Sequence, residues 1–343
     1  MPENARPCWS FASKSIRAGS RALRAYSAAL PAMLLATPLA VLFAAGLAAM
    51  SSPFAQAQTL SFRNILDRAE RPAPDKRITY GTHADQYGEL WLPKPALSRP
   101  APVVVLVHGG CWRADLPGPE LVAFLADTLR QQGVAVWSIT YRRVGTKAEG
   151  FSPYPDTFRD VAVATDKLRE FAREHTLDLS RVVTTGHSAG GHLAMWLAAR
   201  PKLPSDSPLA SPPSAPPLPV RATVGIAAIA DLAVGRSMSA HACGADTVDL
   251  LINNKARKDA GVDPLRDTSV APLLPLGLPT TLISGVYDAI VAPAQALRYR
   301  ERAKEKGEIV KLITLDEAGH FELIAPWTAP GKAVVDAILQ ATR

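Results

Sequence analysis

The run Gly186-His187-Ser188-Ala189-Gly190 sets a hydroxyl between small neighbours, where a strand-like segment gives way to a helix-like one. In that setting a serine is a candidate nucleophile. Small flanking residues let the backbone bend sharply, and the bend lifts Ser188 Oγ above the sheet. The same turn leaves the Ala189 N–H at a helix N-terminus, where it can meet a developing negative charge. The alternative is a plain strand–helix turn with an incidental serine, so the reading depends on finding partners.

A serine hydroxyl needs a base, and the base needs an acid to orient it. Three histidines follow Ser188 in the chain. His192 lies four residues on, along the same helix, and reads as a packed neighbour. His241 lies in a later irregular stretch and is a candidate to touch substrate. His320, in Asp316-Glu317-Ala318-Gly319-His320-Phe321, sits in a loop after the last strand and is the expected base. Asp288 follows an earlier strand in Gly285-Val286-Tyr287-Asp288 and is the expected acid, with Asp231 as its rival. Upstream, His108-Gly109-Gly110-Cys111-Trp112 follows another strand. Gly109 and Gly110 allow close backbone approach and offer N–H groups, so with Ala189 they are the expected oxyanion donors. His108 reads as structural. Trp112 either walls a substrate pocket or packs behind the loop.

These residues need a scaffold, and the hydrophobic pattern supplies one. Strand-like segments run over 86–92, 102–107, 134–141, 181–185, 220–229, 280–284 and 310–315. Helix-like segments run over 121–132, 156–175, 190–200, 295–306 and 332–342. Repeated strand–helix alternation predicts a mostly parallel central sheet flanked by helices. Two stretches break the rhythm. Residues 201–219 are rich in Pro and Ser and read as a solvated surface insertion of polyproline character. Residues 231–278 read as a small cap-like insertion over the C-terminal edge of the sheet.

The N-terminal residues 1–57 form a separate unit. Lys14, Arg17, Arg21 and Arg24 precede an uncharged, Ala- and Leu-rich run over 28–50, and Ala55-Gln56-Ala57 follows. That order describes a cleaved secretory signal and predicts a periplasmic or secreted product. The run is also long enough for an uncleaved membrane anchor, although Pro31 and Pro38 interrupt it. The folded domain is then 58–343. Of the three cysteines, Cys8 falls in the signal. Cys111 and Cys243 read as free thiols, with a disulfide as the alternative that export would permit. The 343 residues are 48% apolar and 20% charged, which suits one large, well-buried domain. The formal net charge of +7 owes much to the N-terminal basic residues, and no basic stripe with interleaved aromatics suggests nucleic acid. No Cys/His cluster has metal-ligand spacing.

Taken together, His-Gly-Gly-x-Trp, Gly-His-Ser-Ala-Gly-Gly-His, a downstream Asp and Gly-His-Phe resemble the α/β-hydrolase superfamily. More narrowly, the chain is similar to the kynurenine formamidase and feruloyl/acetyl-xylan-esterase-like branch, the BD-FAE group. Tyr141-Arg142 and Tyr154-Pro155-x-x-x-x-Asp160 also look like that branch. The hormone-sensitive-lipase branch would have Gly where Cys111 stands and Asp where His187 stands. The resemblance covers residues 90 to 343. It implies an α/β-hydrolase fold, a Ser188–Asp288–His320 triad and backbone oxyanion donors at Gly109, Gly110 and Ala189. It also implies hydrolysis through an acyl-enzyme with no metal or organic cofactor. The expected substrate is a small carboxylic ester or an acylated saccharide. An aryl-formamide is the alternative, and a catalytically dead binding protein the remaining one. A membrane partner is expected only if the N-terminal segment stays uncleaved.

Overall fold

The computed structural model describes residues 59–343. The signal or anchor expected over 1–57 lies outside the described residues. Among the described residues, eight strands form one sheet: β1 (Lys76–Thr79), β2 (Tyr87–Trp91), β3 (Ala101–Val107), β4 (Ala135–Ile139), β5 (Leu177–His187), β6 (Ala222–Ile226), β7 (Thr280–Gly285) and β8 (Val310–Leu315). Their spatial order is β1-β2-β4-β3-β5-β6-β7-β8. β2 pairs antiparallel with β1 and with β4, and every other pairing is parallel. All seven residues of β3 and all five of β4 are buried. Their nearly continuous apolar character, broken only by Ser138 in β4, follows from cover on both faces. Sequence patterning missed β1, a four-residue edge strand whose residues are mostly exposed.

Among the described residues, eleven α-helices accompany the sheet: α1 (Phe62–Leu66), α2 (Ala123–Gln131), α3 (Pro153–Asp166), α4 (Leu168–Phe171), α5 (Ala189–Ala199), α6 (Leu232–Met238), α7 (Ala240–Cys243), α8 (Thr247–Leu251), α9 (Asn254–Asp259), α10 (Ala294–Glu305) and α11 (Ala329–Ala341). Every residue of α5 is buried, so this helix runs through the core and carries no polar face. The helix expected over 156–175 starts earlier, at Pro153, and divides at Lys167 into α3 and α4.

Residues 201–219 are less free than their composition suggests. Ser207, Leu209 and Leu218 are buried. The Leu218 N–H donates to Asp166 Oδ1 at 2.8 Å, and Ser207 Oγ donates to Asp267 Oδ2 at 2.7 Å. The expected solvated loop is therefore bolted to the fold at both ends. Asp267, from the 231–278 stretch, is fully buried. Its carboxylate also accepts from Arg257 Nη2 at 2.7 Å and Tyr154 OH at 3.1 Å, while its carbonyl accepts from Trp196 Nε1 at 2.8 Å. Asp267 thus joins α3, α9 and the Pro-rich segment through its carboxylate, and α5 through its carbonyl. Removing either side of such a pair typically costs about 3–5 kcal/mol, because the other charge is left buried and unpaired.

Candidate active site

Ser188 joins the end of β5 to the start of α5 with φ 59° and ψ −122°, a backbone conformation that non-glycine residues rarely adopt. The turn is possible because its neighbours are small. A Cβ on Gly190 would lie 2.2 Å from the Val107 carbonyl oxygen, so any side chain there would drive β3 and α5 apart. The Ser188 N–H donates to the Ile226 carbonyl at 2.8 Å, which fixes the turn against β6. Ala189 opens α5, where N–H groups lack acceptors within the helix.

His320 and Asp288 follow β8 and β7, two adjacent parallel strands. His320 Nδ1 donates to Asp288 Oδ2 at 2.7 Å, and both side chains are almost fully buried. The other carboxylate oxygen, Oδ1, accepts from the N–H groups of Ile290 at 2.8 Å and Val291 at 2.7 Å. A carboxylate only accepts, so the His320 proton sits on Nδ1 and leaves the Nε2 lone pair free. Ser188 and His320 line the same cavity of about 180 Å³. The rival acid, Asp231, is committed elsewhere. It caps α6 through the Ala233 N–H at 3.0 Å and pairs with Arg302.

The loop after β3 bends through three successive residues of positive φ: Gly110 (101°), Cys111 (50°) and Trp112 (51°). Gly110 carries the widest excursion and lines the cavity beside Ser188. Gly109 backs directly onto the nucleophile, since a Cβ there would stand 3.3 Å from Ser188 Cβ. His108 holds this loop as expected. It is fully buried, donates from Nδ1 to the Gly109 carbonyl at 2.7 Å and stacks on Tyr141 at 4.7 Å between centroids. Burial, with Arg143 nearby, pushes its pKa down to about 3, so it is neutral at neutral pH. Arg142 and Asp160 prove structural as well. Arg142 grips both Asp160 oxygens at 2.8 Å, and Gln86 donates to the same carboxylate at 2.8 Å.

The family model of BD-FAE matches residues 89–302. The chain belongs to the BD-FAE family. Among curated relatives, Esterase LipC of Mycobacterium tuberculosis (strain ATCC 25618 / H37Rv) is 28% identical over 263 residues, covering 75% of this chain and 62% of that protein. Esterase LipI of the same organism is 33% identical over 115 residues, 32% of each chain. This chain therefore spans less than two thirds of the length of these relatives. Among solved structures, a truncated carbohydrate esterase from gut microbiota is similar in fold, with a TM-score of 0.61 at 21% identity, covering 79% of this chain and 99% of that one. An inhibited esterase B from Lactobacillus rhamnosis gives 0.64 at 18% identity, covering 80% and 89%. The architecture is that of the α/β-hydrolases.

In this BD-FAE chain one open choice closes, against a substrate-binding role for Trp112, and two expectations change. Trp112 does not wall the cavity: it has no exposed surface and packs edge-on against His192, with centroids 5.4 Å apart. The left-handed turn at Cys111 and Trp112 directs the indole behind the loop. His241 does not reach the cavity either. It is exposed, and its Nε2 donates to the Ala289 carbonyl at 2.6 Å, leaving its neighbour Ala242 to line the site. Cys111 and Cys243 are not free thiols but a disulfide with Cα atoms 5.3 Å apart. Spacing of 132 residues carries no information on that approach, and only the docking of α7 over the loop creates it.

Sequence reasoning also overlooked three contributors. Phe62 of α1 lines the cavity. Glu322 accepts from the N–H groups of Leu60 and of Gly319, the residue before His320. His187 donates from Nε2 to the His320 carbonyl at 3.0 Å and lies against the His320 ring, with centroids 4.3 Å apart. Burial, then the nearby His320, holds His187 well below the usual histidine range, so it stays neutral. Only His187 had a sequence signal, its place beside the nucleophile.

Proposed function

We propose that this chain is a serine hydrolase that cleaves carboxylic esters with small acyl groups, free or carried on a saccharide, through an acyl-enzyme. The observation that carries the reading is the 2.7 Å His320–Asp288 contact, with His320 and the strained Ser188 lining one cavity. Nε2 of neutral His320 takes the Ser188 proton as Oγ attacks the ester carbonyl carbon. Asp288 holds the tautomer and supports the imidazolium that forms. The N–H groups of Gly109, Gly110 and Ala189 receive the oxyanion. His320 then protonates the leaving alkoxide, and a water repeats the sequence on the acyl-enzyme. Relatives described as esterases support the ester over the formamide, and a neighbour described as a carbohydrate esterase supports acylated saccharides within the class.

The same reading places the mature protein outside the cytoplasm, released by cleavage near Ala57. The Cys111–Cys243 disulfide supports an oxidising compartment. The functional test is direct. A fluorophosphonate should label wild-type protein on Ser188, and hydrolysis of short p-nitrophenyl esters should exceed that of N-formylkynurenine. Ser188→Ala should lose label and about 10⁴-fold or more in turnover. A Ser188→Ala protein that keeps a tenth of the activity removes the nucleophile assignment.

A further inference from the structure

The segment just after the expected cleavage site is folded onto the candidate active site. α1 has only five residues, too few to persist alone. Ser61 caps it, with its N–H and Oγ both donating to Asn64 Oδ1 at 2.8 and 2.7 Å. Tertiary contacts then hold it. Ile65 is fully buried, and the rings of Phe62 and Phe321 meet edge to face at 6.2 Å. Just past α1, Arg68 lies over the Trp327 ring at 4.2 Å. Glu322 is the clamp. One carboxylate oxygen accepts the Leu60 N–H, and the other accepts the Gly319 N–H at 3.0 Å. A single side chain therefore joins this N-terminal arm to the loop that carries His320.

The cavity beside Ser188 is closed partly by this arm. Its apolar walls include Phe62, Leu116, Leu121, Ile290 and Phe321. Leu116 and Leu121 continue the chain from Gly110, so these walls are built around the loop expected to receive the carbonyl oxygen. An acyl chain seated here would extend from a carbonyl held at that loop toward Phe62. About 180 Å³ is slightly more than the roughly 150 Å³ that holds a benzene molecule in an engineered apolar cavity. Among the described residues, the lining contains no Asp, Glu, Lys or Arg, and its His187 is kept neutral by burial. A substrate carboxylate would therefore be buried there without a cationic side chain to pair with, at high cost.

The geometry points to Phe62 as the residue that limits acyl size, with Glu322 holding it in place, and so to esters of compact, uncharged, apolar acids as the substrate class. The inference rests on the serine-hydrolase reading above and adds the determinant of its selectivity. It is tested by kcat/KM across p-nitrophenyl acetate, butyrate, hexanoate and octanoate, for wild type, Phe62→Ala, Phe62→Leu and Phe62→Trp, with melting and fluorophosphonate labelling run on each. One methylene in an apolar pocket is worth roughly tenfold or more. The octanoate-to-butyrate ratio should therefore rise about tenfold or more in Phe62→Ala, rise less in Phe62→Leu and fall in Phe62→Trp. An unchanged ratio in folded variants that still take label on Ser188 overturns the role of Phe62 and leaves the hydrolase reading standing. Failure of wild type to label overturns the hydrolase reading and this inference with it.

Discussion

Replacing Asp288 by Asn changes one atom and should disable the base without disturbing the fold. Two backbone N–H groups, from Ile290 and Val291, donate to Oδ1 at 2.8 and 2.7 Å. An asparagine must keep its carbonyl oxygen there, because the flipped amide would leave both donors buried and unpaired at about 1–3 kcal/mol each. Its NH₂ is then forced to face His320 Nδ1, where the carboxylate oxygen had accepted at 2.7 Å. The imidazole answers by moving its proton to Nε2, the nitrogen that must be bare to deprotonate Ser188. Regaining the productive tautomer sets two donors against each other and gives up a charge-assisted bond worth about 1.5–3 kcal/mol, besides the cost of the unpaired group. The sum, roughly 3–5 kcal/mol, corresponds to about 10²–10⁴ in kcat. The assay is turnover of p-nitrophenyl butyrate at pH 7.5, with melting temperatures to establish folding. Asp231→Asn is the paired control. It keeps the oxygen that caps α6 and loses only the pairing with the half-exposed Arg302, so it should cost about 1 kcal/mol or less in stability and less than about tenfold in kcat. Near-normal turnover in Asp288→Asn, or a crippled Asp231→Asn, refutes the assignment of the acid.

Three further outcomes are expected. The disulfide closes a loop across a separation of 132 residues, so Cys111→Ser with Cys243→Ser should cost about 3–5 kcal/mol in urea unfolding; an equal midpoint with and without reductant would show that the bond contributes nothing. Stability should fall on acidification below about pH 6.5, because burial lowers His108 to about 3 and His192 to about 4. The unfolded chain takes up those protons while the folded chain resists them down to its own lower pKa values, at roughly 2 kcal/mol per histidine by pH 5. Equal unfolding free energies at pH 7 and pH 5 would contradict neutral burial of these rings. Mature protein recovered from its native host should begin near Gln58, and intact mass showing residues upstream of Met50 in soluble material would argue against cleavage.

Much of the scaffold was legible in the chain because its signals are local. The β-branched run ending at Val107 reads as a buried strand whatever surrounds it. The elbow announces itself through small residues crowded between a strand and a helix, and Ser188, Asp288 and His320 each follow a recognisable strand. The order of those strands in the chain is also their order across the sheet, so the candidate triad emerged without coordinates. What stayed hidden depends on groups far apart in sequence that meet only after folding. Trp112 turns inward because the loop adopts positive φ at Cys111, and Asp231 is withdrawn by Arg302, 71 residues away. The disulfide exists because α7 docks over the loop after β3. Phe62 reaches the cavity because Glu322, 262 residues beyond Leu60, holds the arm that carries it. Backbone periodicity reports what a residue does for its own strand or helix; which distant side chain it will meet is decided by the packing of the whole domain.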